Sequence, residues 1–146
     1  MKVIIDANIF ISSLINPKGK IADIILDPFN KLEKFSCHYL YVEILKHKDK
    51  ILKSSKLKED EFLELLYILI KKVEFYSEFK IKSQTWKKAE QLTMDIDNKD
   101  ISYVALSMEL NGYLWTGDKH LINGLNDKGF NKTVSTEDWF KILMQH

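Results

Sequence analysis

Short apolar stretches alternate along the chain with longer segments in which apolar residues recur every three or four positions. The short stretches are rich in β-branched and aromatic residues, which is typical of buried strands. Five stretches fit this description: "KVII" at 2–5, "EKFSCHYL" at 33–40, "VEFYS" at 73–77, "YLW" at 113–115 and "KTVS" at 132–135. We therefore predict five strands.

The longer segments have the periodicity of amphipathic helices. The clearest is 58–73, which has an apolar face, acids at its start and lysines at its end, as the helix dipole favours. Further helices are predicted at 21–27, 41–52, 83–94, 98–110, 118–125 and 135–145. Strands that alternate with helices predict an α/β fold, an α/β/α sandwich with a mainly parallel five-stranded sheet. We expect residues 1–146 to form a single domain.

The composition narrows the class of protein but does not identify a function. Hydrophobic residues make up 45% of the chain, which excludes an intrinsically disordered protein. The net charge is +1, so charge alone does not indicate a nucleic-acid-binding protein, and all 22 basic residues are lysines. With one cysteine and no long apolar segment, we expect no disulfide, no membrane contact and a cytoplasmic location.

Four acidic residues stand at positions where a parallel sheet collects functional groups. Asp6 directly follows the first strand, and Asp118 follows the fourth. Glu43 starts the helix after the second strand, and Asp100 lies in the first turn of the helix that precedes the fourth. Ligands bind at the carboxyl edge of such sheets, near the point where strand order reverses. If the first and fourth strands are neighbours, their ends lie about 5 Å apart.

Carboxylates gathered in this way repel one another and raise one another's pKa. A hard cation removes that conflict, and Mg²⁺ or Mn²⁺ prefers oxygen ligands. Such an ion can activate a water molecule and neutralise charge on a phosphodiester. The spacing of the acids therefore predicts a Mg²⁺ (or Mn²⁺) centre.

Each acid also has a structural explanation when it is considered alone. Asp6 and Asp118 are placed to cap helices, Asp100 to interact with a helix dipole, and Glu43 to lie in solvent on a helix. Asp97, in the loop before the helix of Asp100, is an alternative that could join or replace Asp100 at the site.

Three blocks of the sequence together resemble the PIN-domain ribonucleases. The blocks are "VIIDANIF" at 3–10, "LYVEILKHKDKI" at 40–51 and "DNKDISYVALSMELNGYLWTGDKHL" at 97–121. The resemblance extends from residue 2 to about residue 139. It implies a metal-dependent endonuclease whose metal is held by the four acids named above, Asp6, Glu43, Asp100 and Asp118. It also implies two polar supports: Asn8, which would order the turn after Asp6, and Thr116, which would bond to a site carboxylate or water.

The resemblance has consequences for partners as well as for chemistry. Many small PIN-domain proteins are VapC-type toxins, which implies an RNA substrate, a homodimer and a partner antitoxin for this chain. The chain departs from the pattern beside the last acid, where many relatives carry an arginine and this sequence has Gly117. Phosphate contacts there would need Lys99, Lys119 or backbone groups.

Three hypotheses remain open from the sequence. The first is a metal-dependent endoribonuclease. The second is a haloacid-dehalogenase-type phosphatase, which also places an acid after its first strand but needs a second aspartate two residues later, where this chain has Asn8. The third is a non-catalytic binding module that keeps the fold.

Overall fold

The computed structural model describes residues 1–144 and contains one five-stranded sheet. The strands are β1 (Lys2–Ile5), β2 (Glu33–Cys37), β3 (Glu74–Tyr76), β4 (Tyr113–Trp115) and β5 (Thr133–Val134). Their order in the sheet is β3-β2-β1-β4-β5, and each neighbouring pair is parallel. The predicted parallel sheet is therefore confirmed, and all of its pairs are parallel.

Helices connect every pair of successive strands. Those from β1 to β3 are α1 (Ala7–Ile15), α2 (Lys20–Leu26), α3 (Tyr39–Lys46), α4 (Lys48–Ser55) and α5 (Glu59–Ile70). Those that follow β3 are α6 (Ser83–Thr93), α7 (Ile101–Leu110), α8 (Lys119–Asp127) and α9 (Thr136–Met144). Two 3-10 turns, Glu78–Lys80 and Asn98–Asp100, precede α6 and α7.

The chain reverses its direction of travel across the sheet at β1. From β1 it moves outwards to β2 and β3, and it then returns to place β4 on the other side of β1. Right-handed crossovers therefore put α1 to α5 on one face of the sheet and α6 to α8 on the other. Consistent with this, α7 packs against β1, β2 and β4, whereas α1 packs against α2, α3, α4 and α5.

The core lies where these helices cover the two central strands. Val3, Ile4 and Ile5 of β1 are fully buried, as are Leu114 and Trp115 of β4. Strands buried on both faces read as continuous apolar runs, which explains why β1 and β4 were visible in the sequence. The two strands are in register, with Ile5 opposite Trp115, so both end at the same level of the sheet.

Three local predictions were wrong. The turn expected after Asp6 is the start of helix α1, which the sequence patterns did not indicate. The second strand ends at Cys37, because Tyr39 already belongs to α3. The helix predicted at 41–52 is two helices, α3 and α4, separated at His47. The end of the last predicted helix, at Gln145, lies outside the described residues.

No helix within residues 1–144 combines the length and the apolar character that a membrane span requires.

Candidate metal centre

A cleft of about 410 Å³ opens at the carboxyl edge of the sheet, above the ends of β1 and β4. It is lined by residues from four separate parts of the chain: Asp6, Ala7, Asn8, Tyr39, Glu43, Lys46, His47, Asp97, Lys99, Asp100 and Asp118. All four predicted acids therefore lie in one cleft, as does Asp97. The position is the point of strand-order reversal, where open α/β sheets bind their ligands.

Asp6 is the most deeply placed acid, with 3% of its surface exposed. It is the N-cap of α1, and its Oδ1 accepts a hydrogen bond of 2.9 Å from the amide of Ile9. Burial raises its pKa to about 6; the Thr116 side chain and the Ile9 amide oppose this shift, and the charges of Glu43 and Asp118 add to it. Asp6 is therefore both a helix cap and a buried carboxyl whose charge is poorly compensated.

Asp118 reaches the cleft from the other central strand. It is the N-cap of α8, and its Oδ1 accepts hydrogen bonds from the amides of His120 (3.0 Å) and Leu121 (3.2 Å). Its own amide donates to Oγ1 of Thr116, which is fully buried. The Thr116 side chain also opposes the rise in the pKa of Asp6. The supporting role of Thr116 stays a prediction.

Asp100 and Asp97 enter the cleft from the loop before α7. Asp97 caps the 3-10 turn by accepting a bond of 2.9 Å from the amide of Lys99. Asp100 is the N-cap residue of α7, but its side chain makes no capping hydrogen bond. Burial raises the pKa of Asp100 to about 7, and the charges of Asp6, Asp97, Asp118 and Glu43 add to this shift. A capping function therefore does not account for Asp100, and Asp97 lies beside it in the cluster.

Glu43 faces the cleft from the second turn of α3. The amino end of that helix is fixed by Glu78, whose two carboxylate oxygens accept the amides of His38 (2.9 Å) and Tyr39 (3.0 Å). Burial raises the pKa of Glu43, as does the charge of Asp97, whereas His47, Lys46 and Lys99 act in the opposite direction. Glu43 therefore lies at the boundary between the acidic floor of the cleft and a basic rim.

The arrangement of the carboxylates suits a hard cation that keeps its water ligands, and not an ion that is fully enclosed by protein ligands. Within residues 1–144, no three acidic, histidine or cysteine side chains stand close enough together to enclose an ion. Mg²⁺ keeps several water ligands and commonly takes only one or two carboxylates from a protein, so an open arrangement of carboxylates suits it. The buried Asp6 and the raised pKa of Asp100 indicate negative charge that an ion would neutralise.

Sequence reasoning overlooked part of the rim. Tyr39 and Lys46 line the cleft together with Glu43 and His47, because residues four and seven positions apart share a helix face. That spacing was visible in the sequence. Asn8 lies in the first turn of α1 and lines the cleft, and its supporting role stays a prediction.

Comparison with known proteins shows to which family the chain belongs. The model of the PIN domain matches residues 4–137, which is most of the chain. The chain belongs to the PIN-domain family. Among solved structures, VapBC-1 from nontypeable Haemophilus influenzae has a similar PIN fold, with a TM-score of 0.66 at 17% identity. The match covers 94% of this chain and 99% of the other. No curated protein matches the sequence.

Membership of the PIN-domain family confirms the resemblance that the three sequence blocks carried. The fold prediction is confirmed as well, because the five-stranded parallel sheet with helices on both faces is the architecture that the resemblance implied. The metal-binding roles of Asp6, Glu43, Asp100 and Asp118 stay predictions, although all four line one cleft.

Proposed function

We propose that this PIN-domain protein is a metal-dependent endoribonuclease of the VapC type, with Mg²⁺ or Mn²⁺ as its cofactor. The observation that carries the proposal is the convergence of Asp6, Glu43, Asp97, Asp100 and Asp118 in one cleft at the carboxyl edge of the sheet. Separate helix caps would not require these acids to meet, and the charges of the other four raise the pKa of Asp100. A family of metal-dependent nucleases explains why they do meet.

The acids differ in how firmly the fold holds them. Asp6 and Asp118 are fixed by backbone hydrogen bonds at the ends of adjacent strands, so they would set the position of the ion. Asp100, which has no capping bond, is free to turn towards the ion, and Glu43 would complete the ligand set. When bound, the ion supplies a polarised water for in-line attack and neutralises charge on the scissile phosphate. Hydrolysis would leave a 5′-phosphate and a 3′-hydroxyl, without a covalent enzyme intermediate.

Lysines on the rim would replace the arginine that many relatives carry. Lys46 and Lys99 line the cleft and act on Glu43 electrostatically, whereas Lys119 is not among the lining residues. The ammonium group of Lys46 lies 5.8 Å from the ring centroid of Tyr39, which restricts its direction. Lysine binds phosphate as a point charge and lacks the fork of arginine, so these contacts would position the RNA backbone without fixing its orientation.

The similarity to VapBC-1 supports a partner antitoxin, and a homodimer is the second assembly that we propose. Size measurement of the purified chain, alone and with the product of the adjacent gene, tests both.

The central test is cleavage of a labelled single-stranded RNA by purified protein in Mg²⁺, in Mn²⁺ and in chelator. We expect cleavage that requires the metal and that is lost in Asp6→Asn. The matched control is Asp49→Asn, which removes an exposed acid of α4 outside the cleft and leaves cleavage unchanged. Robust cleavage in chelator would refute the proposal.

The same assay separates the alternatives. A chain that binds no Mn²⁺ at millimolar concentration and cleaves nothing is a binding module. Cleavage of DNA in preference to RNA would keep the metal centre and change the substrate. The phosphatase alternative has no support from the family match, and only a trapped phosphoaspartate at Asp6 would revive it.

A further inference from the structure

The hydroxyl of Tyr103 is a buried polar group that has no hydrogen-bond partner among residues 1–144. Tyr103 is 1% exposed and is the third residue of α7. An unpaired buried hydroxyl destabilises a folded protein, and such groups are rare. Packing accounts for the ring, since a phenylalanine would fill the same space, but it does not account for the hydroxyl.

Tyr103 lies near the amino end of α7, three residues after its N-cap Asp100. Long side chains in a helix tilt towards its amino end, and the amino end of α7 is the end that reaches the cleft. Helix α7 packs against β1 and β4, and the cleft opens above the carboxyl ends of these two strands. Burial raises the pKa of Tyr103 well above its ordinary value, and Cys37, Glu43, Asp6 and Asp100 raise it further. The group is therefore a buried, protonated donor that is close enough to three acids of the cleft for their charges to act on it.

We propose that Tyr103 is a positioning residue of the metal centre, whose hydroxyl donates a hydrogen bond to one of the cluster carboxylates when a divalent cation draws them together. The inference rests on the proposed metal-dependent function. A carboxylate that binds a cation is commonly oriented by a hydrogen bond from a second protein group. Asp6 already accepts the Ile9 amide, whereas Asp100 makes no capping bond, so the cluster still has acceptors that need a donor.

The test is a calorimetric titration of Mn²⁺ alone into the full chain and into Tyr103→Phe, with the melting temperature of each measured in chelator. We expect the dissociation constant for Mn²⁺ to rise by about 10- to 100-fold in the variant. We expect its melting temperature in chelator to be equal or higher, because an unpaired buried hydroxyl has been removed. The matched control is Tyr76→Phe, which removes a hydroxyl from β3 outside the cleft and leaves Mn²⁺ binding unchanged.

The possible failures have distinct signatures. If the wild-type chain binds Mn²⁺ and Tyr103→Phe binds it equally well, the positioning role is wrong while the metal centre stands. If the variant melts lower in chelator with unchanged Mn²⁺ affinity, the hydroxyl is structural, and the proposal is overturned. If the wild-type chain itself binds no Mn²⁺, the proposed function fails, and the role of Tyr103 fails with it.

Discussion

Asp6→Asn should stabilise the metal-free protein at neutral pH while it abolishes metal-dependent cleavage. Burial raises the pKa of Asp6 from 3.8 to about 6. At neutral pH the folded protein therefore holds a buried carboxylate that the unfolded chain would expose to water. The shift of about 2 pKa units corresponds to about 3 kcal/mol of lost stability. The amide has no charge to desolvate, and asparagine caps helices as well as aspartate does.

The stability that Asp6→Asn gains should depend on pH, and this dependence identifies the buried carboxylate as its cause. Below about pH 4, Asp6 is protonated in both the folded and the unfolded chain, so the variant and the wild type should be equally stable apart from the substitution itself. Between about pH 4 and pH 6, the folded wild type binds more protons than the unfolded chain, and its stability falls as pH rises. Above about pH 6 the full difference of about 3 kcal/mol is present.

The assay is urea denaturation in chelator at pH 4 and at pH 7.5, followed by circular dichroism. At pH 7.5 we expect the variant to unfold at a higher urea concentration, which corresponds to a gain of about 2–3 kcal/mol in the free energy of unfolding. We expect its melting temperature to rise by roughly 5–10 °C. Asp49→Asn, the exposed control, should change stability by less than about 0.5 kcal/mol at either pH. A variant no more stable than wild type at pH 7.5, or equally stabilised at pH 4, would refute the assignment of Asp6 as a buried, uncompensated charge.

Three further outcomes follow from contacts at the site and below it. Asp118→Asn should keep the cap of α8, so we expect the stability in chelator to change by less than about 1 kcal/mol. The affinity for Mn²⁺, measured by calorimetry, should fall at least about tenfold. An unchanged affinity would remove Asp118 from the ligand set. Lys46→Gln and Lys99→Gln should each weaken RNA binding, because each variant loses one phosphate contact. The dependence of the binding constant on salt, as the slope of log K against log[salt], should become shallower by about 0.7. An unaltered slope in titrations at several salt concentrations would count against that contact. Gly112→Ala would place its Cβ 2.7 Å from Cδ1 of Ile4, so we expect a loss of about 1–3 kcal/mol in urea denaturation and no change in Mn²⁺ affinity.

The sheet and the meeting of the acids in one cleft could be predicted from the sequence, because both depend on where the buried strands end. Strands β1 and β4 end in buried apolar residues, so the acids that follow them, Asp6 and Asp118, were placed at one edge as soon as the two strands were taken as neighbours. Parallel pairing with Ile5 opposite Trp115 confirms that placement. A residue at the end of a buried strand has its position fixed by backbone register, and a sequence pattern can reveal register.

Helix α1 and the break at His47 were not predictable in the same way. The segment of α1, "ANIFISSLI", has apolar residues around most of its circumference, because the helix packs against α2, α3, α4 and α5. Such a pattern gives no polar face by which to recognise a helix. The chain bends at His47, where φ is −104° and ψ is 11°, without a glycine or proline. The Tyr103 hydroxyl lacks a hydrogen-bond partner because of three-dimensional packing, which the periodicity of a sequence does not show.

The central position of β1 determines when during synthesis the cleft can form. Its neighbour β2 follows within about thirty residues, but β4, its partner on the other side, begins only at Tyr113. A growing chain that stops before β4 leaves one edge of β1 unpaired and lacks Asp118, so it has neither the complete sheet nor the complete set of acids. Closing a contact of such sequence separation is a late event in folding. During synthesis the cleft can therefore form only after β4 and Asp118 have been made.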